Sequence, residues 1–88
     1  MRPDETNDDE ALALGALGWV LAEEARASRL LALTGLTPDG LRAWVQDKEF
    51  LAAVLLFLEN HEPDLIACGA ALGVPPLRLV AARRELEG

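Results

Sequence analysis

One phrase occurs twice in this chain. Leu33-Thr34-Gly35-Leu36-Thr37-Pro38-x-x-Leu41 and Ala71-Leu72-Gly73-Val74-Pro75-Pro76-x-x-Leu79 align without a gap, 38 residues apart. Each reads as helix, glycine stop, one apolar residue, proline start, helix. Glycine takes the left-handed backbone that ends a helix at no steric cost. Proline suits a first helical turn, where the backbone N–H has no partner in any case. The chain therefore encodes two tight helical corners. The shared span is about ten residues and the flanking helices do not align, so it reads as reuse of a good corner more than as duplication of a hairpin. Repeat arrays need three or more units.

The segments between the corners are helical in pattern. Leucine and alanine dominate, tyrosine is absent, and no run alternates as a strand would. Asn7-x-x-Glu10 has the outline of a capping box, with Thr6 a second candidate cap, and starts a helix expected to reach about Ala27. Its apolar stripe is expected at Leu14, Leu17 and Leu21, with Trp19 and Val20 beside it. Gly15 and Gly18 within it point to close approach of a neighbouring helix. Ser28 can cap a short helix over Arg29–Thr34. Thr37 can cap one that begins at Pro38 and carries Leu41, Trp44 and Val45. Asp47 can cap another over Lys48–Glu59. From Phe50 to Leu58 every residue is apolar, which predicts a helix buried on all sides. Two more follow, from about Pro63 to Leu72 with Leu65, Ile66, Cys68 and Ala71 or Leu72 inward, and from Pro75 or Pro76 with Leu79, Val80 and Leu86. The expected fold is all-α: a compact bundle of five or six short helices around a central buried helix at about 48–59. Residues 1–6 are expected to be a disordered acidic tail and 7–88 a single helical domain.

Charge and cysteine content narrow the setting. The net charge is −7, of which −4 falls in residues 1–10. Such a chain repels nucleic acid and anionic membranes at long range. Cys68 is the sole cysteine, so an internal disulfide is ruled out and a reducing compartment fits. Neither Ala11–Ala22 nor Phe50–Leu58 reaches the roughly 20 apolar residues that span a bilayer. The start, Met1-Arg2-Pro3-Asp4, is not of signal-peptide type. A cytoplasmic location is expected.

Chemistry-bearing constellations are scarce. His61, the one histidine, has Glu62 and Asp64 beside it but lacks metal-ligand spacing; it reads as a residue at the end of the fourth helix. Cys68 lies on an apolar face and reads as a small buried hydrophobe. Ser28, Thr34, Thr37 and Thr6 are accounted for by caps and turns. No nucleophile–base set and no phosphate loop is present. The expectation is a non-enzyme without cofactor, metal or evident small-molecule ligand.

Two functions remain. About half of the residues are hydrophobic, 51%, and a domain this small has a thin core. Apolar side chains left at its rim would contact a protein partner or a second copy. Leu12, Trp19, Trp44 and Phe57 are the candidates. The alternative is a helix–turn–helix over residues 63–86 that binds nucleic acid, with Arg78, Arg83 and Arg84 on its recognition helix. Charge argues against it: Asn60–Gly88 holds three basic and four acidic side chains.

The chain also resembles a family of short bacterial proteins known as domain-of-unknown-function family 3572. The likeness rests on Leu33-Thr34-Gly35-Leu36 with Pro38 and Leu41-Arg42, on Phe50-Leu51-Ala52-Ala53-Val54-Leu55 with Phe57-Leu58, on His61-Glu62-Pro63, and on Ala71-Leu72-Gly73-Val74-Pro75-Pro76. Ala11-Leu12-Ala13-Leu14 is similar too. The resemblance implies a small cytoplasmic bacterial protein. It implies no activity, substrate or catalytic residue.

Overall fold

A computed structural model describes residues 8–88. The expected acidic tail and the caps at Thr6 and Asn7 lie outside the described residues. Six helices follow in order: α1 (Asp8–Leu21), α2 (Glu24–Thr34), α3 (Pro38–Leu41), α4 (Lys48–Glu59), α5 (Glu62–Leu72) and α6 (Pro76–Glu87). No strand occurs among the described residues.

Both corners form as read. Gly35 and Gly73 take φ of 72° and 75°, and Pro38 and Pro76 sit in first turns. Thr37 Oγ1 accepts from the Gly40 N–H at 3.0 Å, and Asp47 Oδ1 accepts from the Phe50 N–H at 2.9 Å. Thr34 adds a clasp at the first corner. Its hydroxyl donates to the Leu30 carbonyl at 3.0 Å and accepts from the Leu36 N–H at 3.3 Å.

The first helix is shorter than the apolar pattern predicts. It stops at Leu21, and Glu23 is extended (φ −116°, ψ 127°) before α2 begins at Glu24. The Glu23 N–H turns to the Val20 carbonyl at 3.4 Å, leaving the Trp19 carbonyl only a 3.3 Å bond from the Ala22 N–H in place of its usual donor. Arg26 Nη2 replaces that donor at 2.8 Å. Ser28 accordingly lies inside α2 and caps nothing. The local signal is Glu24, an acid in the first turn of the new helix. Helix α3 is likewise a single turn. From Arg42 to Trp44 the N–H groups bond three residues back, to Asp39, Gly40 and Leu41 carbonyls, so Trp44 and Val45 stand on tight turns rather than on a helix.

The core sits where α1, α4, α5 and α6 meet, and α4 packs most extensively on α6. Val54, Leu55 and Leu58 are fully buried. Burial on α4 is not all-round, however: Ala53 is exposed and Leu56 is 41% exposed. A surface helix of a small globule needs only one broad buried face. On α1 the buried stripe is Ala13, Ala16, Leu17 and Val20, while Leu14 and Leu21 are exposed. Leu17 lies in the stripe as expected, while Ala13, Ala16 and Val20 take the places expected of Leu14 and Leu21; small alanines let the neighbouring helices approach. Gly15 meets the expected close neighbour: a Cβ there would lie 3.2 Å from the Leu72 side chain of α5. Gly18 faces open space. On α5, Leu65 and Cys68 are buried, whereas Ile66 and Ala71 point outward and Leu72 is half-buried. On α6, Leu79, Ala82 and Leu86 are buried and Val80 packs at the edge. The result is an all-α globule with a Cα radius of gyration of 12.3 Å.

Candidate functional site

Residues 24–46, comprising α2, α3 and the turn after them, form an arm laid against the four-helix core. The arm supplies only Leu30 and Leu41 to the buried core. Its remaining apolar side chains wall three clefts. The first, of about 430 Å³, runs between Leu17 and Leu21 of α1, Ala27 and Leu31 of α2, and Leu41 of α3; Arg42 is its one charged lining residue. The second, of about 370 Å³, lies between Leu33 of α2 and Phe57 of α4, rimmed by Arg29, Asn60 and His61. The third, of about 330 Å³, holds Trp44 among Leu36, Asp47 and Phe50.

The expected interface residues fall in different places. Leu12 and Trp19 are half-buried against the core on α1. Trp19 lies under the Arg26 guanidinium, 3.7 Å from its ring centroid. Trp44 is 45% exposed. Phe57 is half-buried, with Arg29 5.8 Å above its ring. No cleft contains two of the four.

The second cleft has a polar rim of Arg29, Asn60 and His61 beside Leu33 and Phe57. Asp64 of α5 joins two of its neighbours: Oδ2 accepts from Arg29 Nη2 at 2.9 Å and lies 3.1 Å from His61 Nδ1. His61 is therefore the residue before α5 and not the end of α4, which Asn60 closes. Three polar side chains, Arg29, His61 and Asp64, thus tie α2 to the start of α5 beside an apolar floor. Among the described residues no three His, Cys, Asp or Glu side chains gather as a metal site would require.

The second corner bends by 97° between α5 and α6, within the range of helix–turn–helix units. Its arginines are engaged. Arg78 Nη1 donates to Asp9 at 2.9 Å. Arg83 donates to Glu59 and, at 2.6 Å, to Glu87, and these carboxylates raise its pKa. Arg84 alone of the three has no carboxylate partner among the described residues. Cys68 is fully buried on α5. Burial pushes its thiol up to about 11, offset in part by the Arg26 charge and reinforced by Asp64.

A family model described as a protein of unknown function, DUF3572, matches residues 6–88. The chain belongs to the DUF3572 family. No curated protein and no solved structure matches it. The DUF3572 match spans arm and core alike, so both are parts of one family pattern. Within it, Arg29, Leu33, Asn60 and His61 were not among the sequence candidates. They come from α2 and from the turn between α4 and α5, and no spacing within either segment announces their meeting. Gly69 was also missed: a Cβ there would fall 2.8 Å from the Val74 carbonyl, so only glycine lets the second corner close.

Proposed function

We propose that this DUF3572 chain is a protein-interaction module that docks its partner on the seam between α2 and α4. The observation that carries the reading is Leu33, which stands 74% exposed beside Phe57. Around it Arg29, Asn60 and His61 supply a polar rim. An apolar centre with a polar rim is the common anatomy of a protein interface, and aromatic and arginine side chains are its usual anchors. An exposed leucine at an unfilled cleft costs nothing to desolvate further and gains when covered.

The test compares wild type with Leu33→Asp by cross-linking in the source cell and by sedimentation equilibrium. Bands lost in Leu33→Asp but retained in Leu77→Asp support the reading, because Leu77 is equally exposed, 77%, and lies elsewhere. A 9.5 kDa mass with identical cross-links in all three proteins overturns it.

Nucleic-acid binding through α6 is the second reading, favoured by the 97° corner. The carboxylates on Arg78 and Arg83 and the chain's charge oppose it. Salt-sensitive duplex binding lost in an Arg78, Arg83 and Arg84 triple alanine variant would reverse the ranking.

A further inference from the structure

We propose that the cleft between α1, α2 and α3 binds a small monocarboxylate with a hydrocarbon body, its carboxylate on Arg42 and its chain against Leu17, Leu21 and Leu31. This goes beyond protein docking and does not rest on it, since Leu33 lines the other side of α2.

Volume, lining and charge carry the inference together. At about 430 Å³ the cleft falls in the range of small-molecule sites. Every lining residue except Arg42 is apolar. Such a wall rewards hydrocarbon and offers a peptide backbone no side-chain partner for buried amides, which are costly to leave unpaired. Arg42 itself is exposed at the cleft. Arg26, Arg29, Lys48, Arg78 and Arg83 each have a carboxylate within 4.0 Å, whereas Arg42 has none among the described residues. Its guanidinium fork is shaped to take a carboxylate by two parallel hydrogen bonds. Arg84 on α6 is likewise without a carboxylate partner among the described residues, but Arg42 is the one that lines this cleft. One cation there, in a chain of net charge −7, matches one negative charge and disfavours polyanions such as nucleotides. The site is invisible in the sequence because three helices and a turn contribute to it.

The experiment is titration of the ¹⁵N-labelled full chain with decanoate, followed by amide shifts, with decanol as the uncharged control. Saturable shifts centred on Ala27, Leu31 and Val45 are expected, with a Kd of about 1 mM or tighter. Arg42→Gln should weaken decanoate about tenfold and leave decanol unchanged. Ala27→Phe, which fills the cleft, should abolish both. Arg42 is exposed, so its variant keeps the fold and decides the matter even if Ala27→Phe does not fold. Non-saturable shifts, shifts centred on Leu33 and Phe57, or equal affinity in Arg42→Gln would each overturn the assignment.

Discussion

The four-helix core and the arm are built from similar residues and end in different states. Outside the arm, α1, α4, α5 and α6 interlock through alanines, leucines and valines, with Phe50 and Cys68, to supply all of the apolar core except Leu30 and Leu41. The arm carries Leu31, Leu33, Leu36, Trp44 and Val45 as well, but they point to three different clefts. The difference is one of coverage. Helix α1 packs against α2, α4, α5 and α6, and α4 against α1, α5 and α6. Helix α2 packs extensively only on α1, so one leucine reaches the core and the others are left uncovered. Exposed apolar side chains also occur on the core helices, at Leu14, Leu21, Leu56, Ile66 and Leu77. What sets the arm apart is that its apolar side chains line clefts, and these mark where ligands and partners are to be sought.

The comparison is broken or sharpened first by paired truncations. Leu55→Ala should cost about 2–5 kcal/mol, since a fully buried side chain leaves a cavity in close-packed surroundings. Leu33→Ala should stay within about 0.5 kcal/mol, as expected of an exposed site. Urea melts of the two variants measure both. Similar losses would mean that the arm is as integral as the core.

Glycines give the next contrast. Gly69→Ala should destabilise by about 1–3 kcal/mol, because its Cβ would meet the Val74 carbonyl at 2.8 Å, a backbone atom that cannot swing away. Gly18→Ala should instead gain up to about 1 kcal/mol, since nothing lies within 4 Å and alanine favours helix. Thermal melts that moved in the same direction would contradict the packing at the second corner.

These positions also show what was legible in the sequence. The corners were, because glycine at positive φ and proline in a first turn are demands of the local backbone. The burial of Val54, Leu55 and Leu58 was, because nine consecutive apolar residues leave no choice of face for the middle of a helix. The α1 stripe was misread at Leu14 and Leu21, since leucines attract attention where alanines were doing the close packing. The break at Ala22 and Glu23 was hidden because the contact that satisfies it, Arg26 reaching back to the Trp19 carbonyl, lies in the following helix. The candidate sites were hidden for the same reason: clefts are made by pairs of helices, and a linear pattern shows one helix at a time.

Arg26 is the joint between the two regions, and its removal has a smaller expected effect. The guanidinium bonds the Trp19 carbonyl, stacks on the Trp19 ring and pairs with Glu23 at 2.9 Å. Its Nε is buried without a partner among the described residues, which reduces the net gain. Arg26→Ala should cost about 1 kcal/mol and red-shift Trp19 emission as the ring loses its cover. Lysine keeps the charge but not the planar fork, so Arg26→Lys should recover only part of the loss. Full recovery would show that charge alone holds the arm.

The last effect is nil at neutral pH and grows only in alkali. Burial raises the Cys68 thiol from an ordinary 9.0 to about 11 in the folded chain. Between those values the unfolded chain has released its proton and the folded chain retains it, so the unfolded state binds fewer protons. Stability must then fall as pH rises. The contribution is complete below pH 9 and is lost as pH climbs toward 11. Melting temperature should decline over that interval more steeply in wild type than in Cys68→Ala, whatever the offset between the two proteins at pH 7. The same burial predicts slow reaction with thiol reagents, because the thiolate forms only when α5 opens from the core. Parallel melting curves in alkali together with rapid labelling would place Cys68 at the surface, and with it α5 outside the well-packed region that sets the core apart from the arm.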